Sequence, residues 1–236
     1  RVNRADYRGV FLTQNETSTG ICNDVHRVGQ VLEGRELLYV VDGVSSVGAI
    51  PLEMDRSRVD VAFTASQKAL MAPPGASLIA VSERAWRFNK KAKCPRFYFD
   101  LHSIRDAQDR GQNPWTPPLS VCFGLRASMR RIFHEGLDNV FARHRALGEF
   151  VRDRVGDAGL ELFVQDGLAS DTVTAVRIPT DADAEAFMRR SRDEHSTVFG
   201  GGEGPLRGKI FRIGHMGLAN RIQLFDAINV AARLLL

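Results

Sequence analysis

The sequence predicts an α/β fold, with a mixed or parallel sheet in a larger first part and a smaller α+β part after it. Two apolar runs of strand length, residues 37–41 and 59–63, carry much of this prediction. Each closes in a small polar cluster, Asp42-Gly43-Val44-Ser45-Ser46 after the first and Thr64-Ala65-Ser66-Gln67-Lys68 after the second. Runs ended in this way suit buried parallel strands, whose carboxyl ends face the ligand crevice of an open α/β sheet. The third observation is that strand-like and helix-like segments alternate in the last part of the chain, which suggests an α+β cap.

In chain order, residues 9–13 read as the first strand, followed by a polar turn from Gln14 to Gly20. Asp24 is placed to cap a helix through about Leu32, with Val25, Val28 and Val31 on one face and Gly34 at its end. After the two strands already described, Pro73-Pro74-Gly75 forces a turn and residues 77–81 form another buried strand. Ser82 caps a short helix over 83–88, anchored by Trp86; residues 90–113 are charged and irregular, with a helix near 101–110. In Thr116-Pro117-Pro118, Thr116 reads as an N-cap and Pro117 as the first helical position. Cys122, Leu125, Met129, Ile132 and Phe133 then follow at helical spacing. A second helix over 137–155 puts Leu137, Val140, Phe141, His144, Leu147, Val151 and Val155 on one stripe, with His144 at its edge.

The smaller part begins near Gly156, which divides the chain into residues 1–155 and 156–236. Strands are expected over 160–164, 172–178, 196–199 and 209–214, the second of them alternating with period two. Helices are expected over 181–190 and 219–235, the latter burying Ile222, Phe225, Ile228, Ala232 and Leu235.

Composition narrows the function classes. With 44% hydrophobic and 25% charged residues, the chain has the make-up of an ordinary globular protein. The net charge of +4 comes mostly from arginines scattered through helical stretches, in part interleaved with acids; these read as solvated helix faces, not as a nucleic-acid surface. Cys22, Cys94 and Cys122 are odd in number and form no CxxC pair, so neither a disulfide framework nor a metal site is expected; a reducing, cytoplasmic compartment fits. His102 sits in no metal-ligand spacing. No apolar run reaches the ~18 residues of a membrane span.

The chemistry centres on Asp42 and Lys68, an acid and an amine leaving neighbouring strand ends. Such a pair serves pyridoxal 5'-phosphate well: the lysine supplies an amine for a Schiff base, and the carboxylate favours the protonated ring nitrogen. Here the stretches VDGVSSVGAIPLEMD and SQKALMAPPG resemble the class V aminotransferases of fold type I, in the alanine–glyoxylate and serine–pyruvate branch. The resemblance implies that Lys68 is the imine lysine, Asp42 the partner of the pyridine nitrogen, Val44 a side chain against the ring and Gln67 a phosphate contact. It also implies that Thr17 can reach the cofactor's phenolic oxygen, and that Thr116 touches the phosphate of the neighbouring subunit's cofactor in a homodimer. Arg212, between apolar Phe211 and Ile213, lies by alternation on the opposite strand face, and its planar guanidinium suits a carboxylate. The family's FRIGHMG-like strand carries its substrate-binding arginine there, and His215 is at most a supporting neighbour. Gly200-Gly201-Gly202 lacks the spacing of a dinucleotide site.

The implied reaction is transamination from a small amino acid, alanine- or serine-like, to a 2-oxo acid such as glyoxylate or pyruvate. The chain starts at Arg1, and the family's phosphate turn and ring-stacking aromatic are not visible before Asp42, so an N-terminally truncated chain is expected. Two other readings stay open. A cysteine desulfurase would have a histidine where Gln67 stands and a mobile cysteine after the lysine; a non-catalytic fragment or dimerisation module would keep the fold alone.

Overall fold

The computed structural model describes residues 7–164 and 167–236. Its elements are β1 (Gly9–Thr13), β2 (Asn15–Glu16), β3 (Ile21–Cys22), α1 (Val25–Val31), β4 (Leu38–Asp42), β5 (Val61–Ala65), β6 (Ser77–Val81), α2 (Glu83–Lys91) and α3 (Leu101–Asp109). The long helices α4 (Leu119–Glu135) and α5 (Leu137–Asp157) follow, then β7 (Val173–Arg177), α6 (Ala184–His195), β8 (Gly200–Gly201), β9 (Ile210–Gly214) and α7 (Arg221–Leu235).

The first sheet has the order β1-β4-β5-β6. β1, β4 and β5 run parallel, and β6 returns antiparallel to β5. Register pairs Thr13 with Asp42 and Asp42 with Phe63, so three strands deliver the chain to one sheet edge. One face packs Tyr39, Val41 and Ala62 against Val25 and Leu32 of the α1 region. Gly29 makes this approach close, since a Cβ there would sit 2.0 Å from the Ser57 carbonyl oxygen. The other face, carrying Phe11, Val40, Val61, Phe63 and Ile79, is only partly covered; Phe11 is 80% exposed.

The second sheet is antiparallel, β7-β9-β8. Its core gathers Leu147, Val151 and Val155 of α5, Phe187 of α6, Phe199, Phe211, and Leu224, Ile228 and Ala231 of α7. The Phe187, Phe199 and Phe211 rings meet at centroid distances of 5.0–5.4 Å. α5 serves two cores, because Val140 packs with Leu70, Val121, Leu125 and Ile132.

Several expected elements shift. β5 starts at Val61, not at 59, because the Asp60 carboxylate accepts the Tyr39 N–H at 2.8 Å and takes the place of a ladder bond. Asp60 is buried and paired with Arg84 at 2.7 Å, an ion pair not anticipated from the sequence. Thr116 caps nothing: α4 begins at Leu119 with Pro118 at the N-cap and no side-chain cap. The tandem prolines explain this, since Pro118 keeps Pro117 out of the helical region. On α4 the buried positions are Val121, Leu125, Ser128 and Ile132, whereas Cys122 and Phe133 face outward.

Val31 is exposed and Leu32 buried instead; Leu137 is 45% exposed. His144 is not at an edge but fully buried. Residues 160–164 form only the bridge of Leu162 with Val176. β7 does not alternate, because both its faces are covered. Residues 196–199 form no strand, since Ser196 takes a left-handed conformation to end α6, and pairing begins only with β8 at Gly200. On α7 the buried stripe is Leu224, Ile228 and Ala231, with Ile222 75% and Phe225 45% exposed. That helix has two apolar stripes, and spacing alone does not choose between them.

Candidate active site

The parallel edge of the first sheet is knitted by backbone bonds. Gln14 N–H donates to the Asp42 carbonyl and Gly43 N–H to the Phe63 carbonyl, each at 2.9 Å. Thr64 Oγ1 lies 3.4 Å from the Val44 carbonyl. The turn holding Asp42 and Val44 is therefore fixed beside the segment that leads into Gln67 and Lys68. One Asp42 oxygen accepts the Val44 N–H at 2.9 Å; its other oxygen has no partner among the described residues. Lys68 is partly buried, and its ammonium makes no hydrogen bond or ion pair among them. Gln67 is exposed and likewise unpartnered.

The loop after β5 is closed by a residue that sequence reasoning missed. Buried Ser66 donates from Oγ to the Pro73 carbonyl at 2.6 Å and receives the Ala76 N–H at 3.3 Å. Ser128 of α4 donates to the Leu70 carbonyl and ties the loop from outside. These bonds fix the backbone on both sides of Lys68 while leaving its amine free.

Thr17 Oγ1 donates to Ser45 Oγ at 2.8 Å, and Ser45 Oγ donates to the Asn15 carbonyl at 2.9 Å. The Asn15 amide bonds Ser45 Oγ at 2.8 Å and Thr172 Oγ1 at 2.9 Å, joining the first sheet's turns to β7. Asn15, Ser45 and Thr172 were invisible as a group because 157 residues separate Asn15 from Thr172.

Arg212 of β9 spans the same seam. Its Nη1 donates to the Thr17 carbonyl at 3.0 Å and its Nη2 to Glu203 Oε1 at 2.7 Å, while Nε is buried without a partner. Gly200 leaves room for this, since a Cβ there would come within 3.2 Å of that Nε. Below the strand, His215 is fully buried with Nε2 3.0 Å from Thr174 Oγ1; burial holds its pKa down at about 3. Gly217 N–H donates to His144 Nε2 at 3.0 Å, so His144 carries its proton on Nδ1 and gives it to the Val140 carbonyl at 2.7 Å. Burial also lowers the His144 pKa. A Cβ on Gly217 would meet Met71 at 3.1 Å, which seats the turn after β9 against the Lys68 loop.

Thr17, Asp42, Val44, Gln67 and Lys68 thus lie on adjoining turns at the strand ends, and Arg212 reaches that set from the middle of β9 through the Thr17 carbonyl. Thr116 is exposed, and no hydrogen bond links it to them within the chain. A depression of about 710 Å3 lies elsewhere, lined by residues such as Leu160, Arg177 and Lys209. The donor set suits pyridoxal phosphate: an unpartnered amine and a half-free, backbone-pinned carboxylate leave adjacent strands, and a guanidinium faces the same seam.

Comparison with known proteins places this arrangement. Residues 2–189 match the sequence model of the class-V aminotransferases. The L-aspartate–glyoxylate aminotransferase of Paracoccus denitrificans (strain Pd 1222) is 40% identical over 215 residues, 90% of this chain and 54% of that protein. The serine–glyoxylate aminotransferase of Hyphomicrobium methylovorum is 38% identical over 231 residues, 96% of this chain and 57% of that one. The crystal structure of an alanine–glyoxylate aminotransferase from Nostoc sp. superposes with a TM-score of 0.91 at 33% identity, covering 96% of this chain and 61% of the other. The chain spans little more than half the length of the two curated relatives. Its architecture is that of fold type I, as the α/β expectation had it. By sequence and by fold, the chain belongs to the class-V aminotransferase family.

Proposed function

We propose that the protein of which this chain is part transfers an amino group from a small amino acid, alanine- or serine-like, to a 2-oxo acid such as glyoxylate or pyruvate. The observation that carries the reading is the unpartnered Lys68 amine leaving the strand beside Asp42, whose carboxylate is pinned through one oxygen and free at the other. Lys68 and Asp42 would hold pyridoxal phosphate, with Val44 beside its ring, and Gln67 and Thr17 would supply polar contacts. When bound, that group offers an aldehyde carbon and an electron-accepting ring. Lys68 Nζ would take the proton from the substrate's Cα as general base and then, as general acid, give it up on the side of the group's aldehyde carbon and not back to Cα. The Asp42 carboxylate would favour the protonated form of that group's ring nitrogen. The Arg212 guanidinium orients the substrate through its carboxylate, a charge-assisted pairing that favours two parallel hydrogen bonds. The protein works as a homodimer in this proposal, with Thr116 reaching the neighbouring subunit's site. The division into residues 1–155 and 156–236 is part of the same proposal.

The test uses the full-length protein. The wild type is expected to show an absorbance band at about 400–430 nm with pyridoxal phosphate, and Lys68→Ala to lack it. Arg212→Ala is expected to keep the band but to raise KM for the amino donor roughly ten- to hundred-fold, the worth of one charged hydrogen-bond pair. A colourless wild type would favour a non-catalytic dimerisation module instead.

A further inference from the structure

Arg212 already holds a carboxylate. Glu203 Oε1 lies 2.7 Å from its Nη2, and this is the only hydrogen bond or ion pair that the Glu203 side chain makes among the described residues. The two partners differ in setting: the Arg212 side chain is 16% exposed and that of Glu203 66%. The guanidinium is fixed from behind by the Thr17 carbonyl and by its packing on Gly200. The backbone around Glu203 is fixed as well. Gly202 N–H donates to the Ile210 carbonyl at 3.0 Å, and the Glu203 carbonyl accepts the Leu206 N–H at 3.0 Å. A Cβ at Gly202 would sit 2.0 Å from the Leu206 carbonyl oxygen, so the turn is tight. Only the glutamate side chain is free to swing. A second acid, Glu16, feels the charge of Arg212, but Ser18 already engages its carboxylate at 2.7 and 3.0 Å.

We propose that Glu203 is a built-in competitor for Arg212, an affinity-setting residue of the substrate site that an incoming substrate carboxylate must displace by a rotamer change. The inference rests on Arg212 being the substrate's carboxylate site, as in the preceding subsection. The mostly exposed glutamate makes a weak pair, so displacement is cheap yet measurable. Its effect is to lower the affinity for every carboxylate substrate alike, while the guanidinium stays oriented through Thr17 when the glutamate leaves.

The test titrates propanoate, a carboxylate with no amino or oxo group to react, into the full-length protein by calorimetry. The wild type is compared with Glu203→Gln, Glu203→Asp and Arg212→Gln. Glu203→Gln is expected to tighten propanoate binding by about two- to five-fold, the range for an exposed ion pair. Glu203→Asp, which keeps the charge, is expected to lie closer to wild type than Glu203→Gln does. In turnover the same Gln variant is expected to lower KM for pyruvate by more than it changes kcat. Binding that is unchanged or weaker in Glu203→Gln overturns the inference, since the glutamate would then be a support for Arg212. If Arg212→Gln binds propanoate as well as wild type, the carboxylate site itself is elsewhere and the underlying reading fails. No measurable binding in either wild type or Glu203→Gln counts against both.

Discussion

The two sheets solve burial in opposite ways. β7 and β9 of the second sheet carry residues buried toward both faces, and the three phenylalanine rings at its centre pack against one another. The first sheet is parallel through β1, β4 and β5, a kind that elsewhere has both faces covered, yet its strands alternate between buried and partly open positions. Its open face also carries Asp42, paired in register with Phe63. The second sheet is therefore a finished core, whereas the first is a half-covered platform whose edge holds Asp42 and Lys68, the proposed reactive pair. In the proposed reading, the reacting residues sit where the packing is least complete, and the substrate-binding arginine is supplied from where it is most complete.

Three measurements on this chain would break or sharpen that contrast. Phe211→Ala removes a fully buried ring from the finished core and is expected to cost about 3–5 kcal/mol in urea unfolding. A loss near zero would mean that the second sheet does not hold itself together. Next comes pH. Burial keeps His215 neutral in the folded state, with a pKa near 3, so above its ordinary value of 6.5 the group is neutral in both states. Below that value the unfolded chain binds a proton that the folded chain refuses. Stability should fall as pH drops from 6.5 toward 3, by up to about 1.4 kcal/mol per pH unit for this one group. His144, lowered in the same direction by burial, adds to the slope. Replacing His215 with Gln should flatten the profile, and an unaltered profile would remove this histidine from the account. The smallest effect belongs to the open face: Phe11→Ser, at a residue 80% exposed, should shift stability by no more than about 0.5 kcal/mol. A large loss there would show that the face is covered in solution.

Much of the platform was readable from residues alone. Strand ends marked by small polar clusters gave β4 and β5 within two residues, and Asp24 and Ser82 cap their helices as expected. What escaped was long-range. Asp60 stands in for a ladder partner because Arg84 neutralises it, and nothing local to either residue announces that. The Asn15–Ser45–Thr172 cluster and the Glu203 partner of Arg212 likewise depend on which turns meet. Helix faces failed where two apolar stripes compete, as on α7, because tertiary contacts and not periodicity select the stripe. Thr116 shows the reverse error: a strong local signal, Thr-Pro, was overruled by the second proline beside it.

One anchor has a bearing on how freely this site can be redesigned. Arg212 grips residue 17 through its main-chain oxygen, a feature that all twenty amino acids present alike. Saturation of that position would unhook the hydroxyl contact to Ser45 and retune the neighbourhood, yet leave the arginine moored. Residue 17 is thus a place where side-chain chemistry can be varied without surrendering the alignment of the guanidinium across the seam.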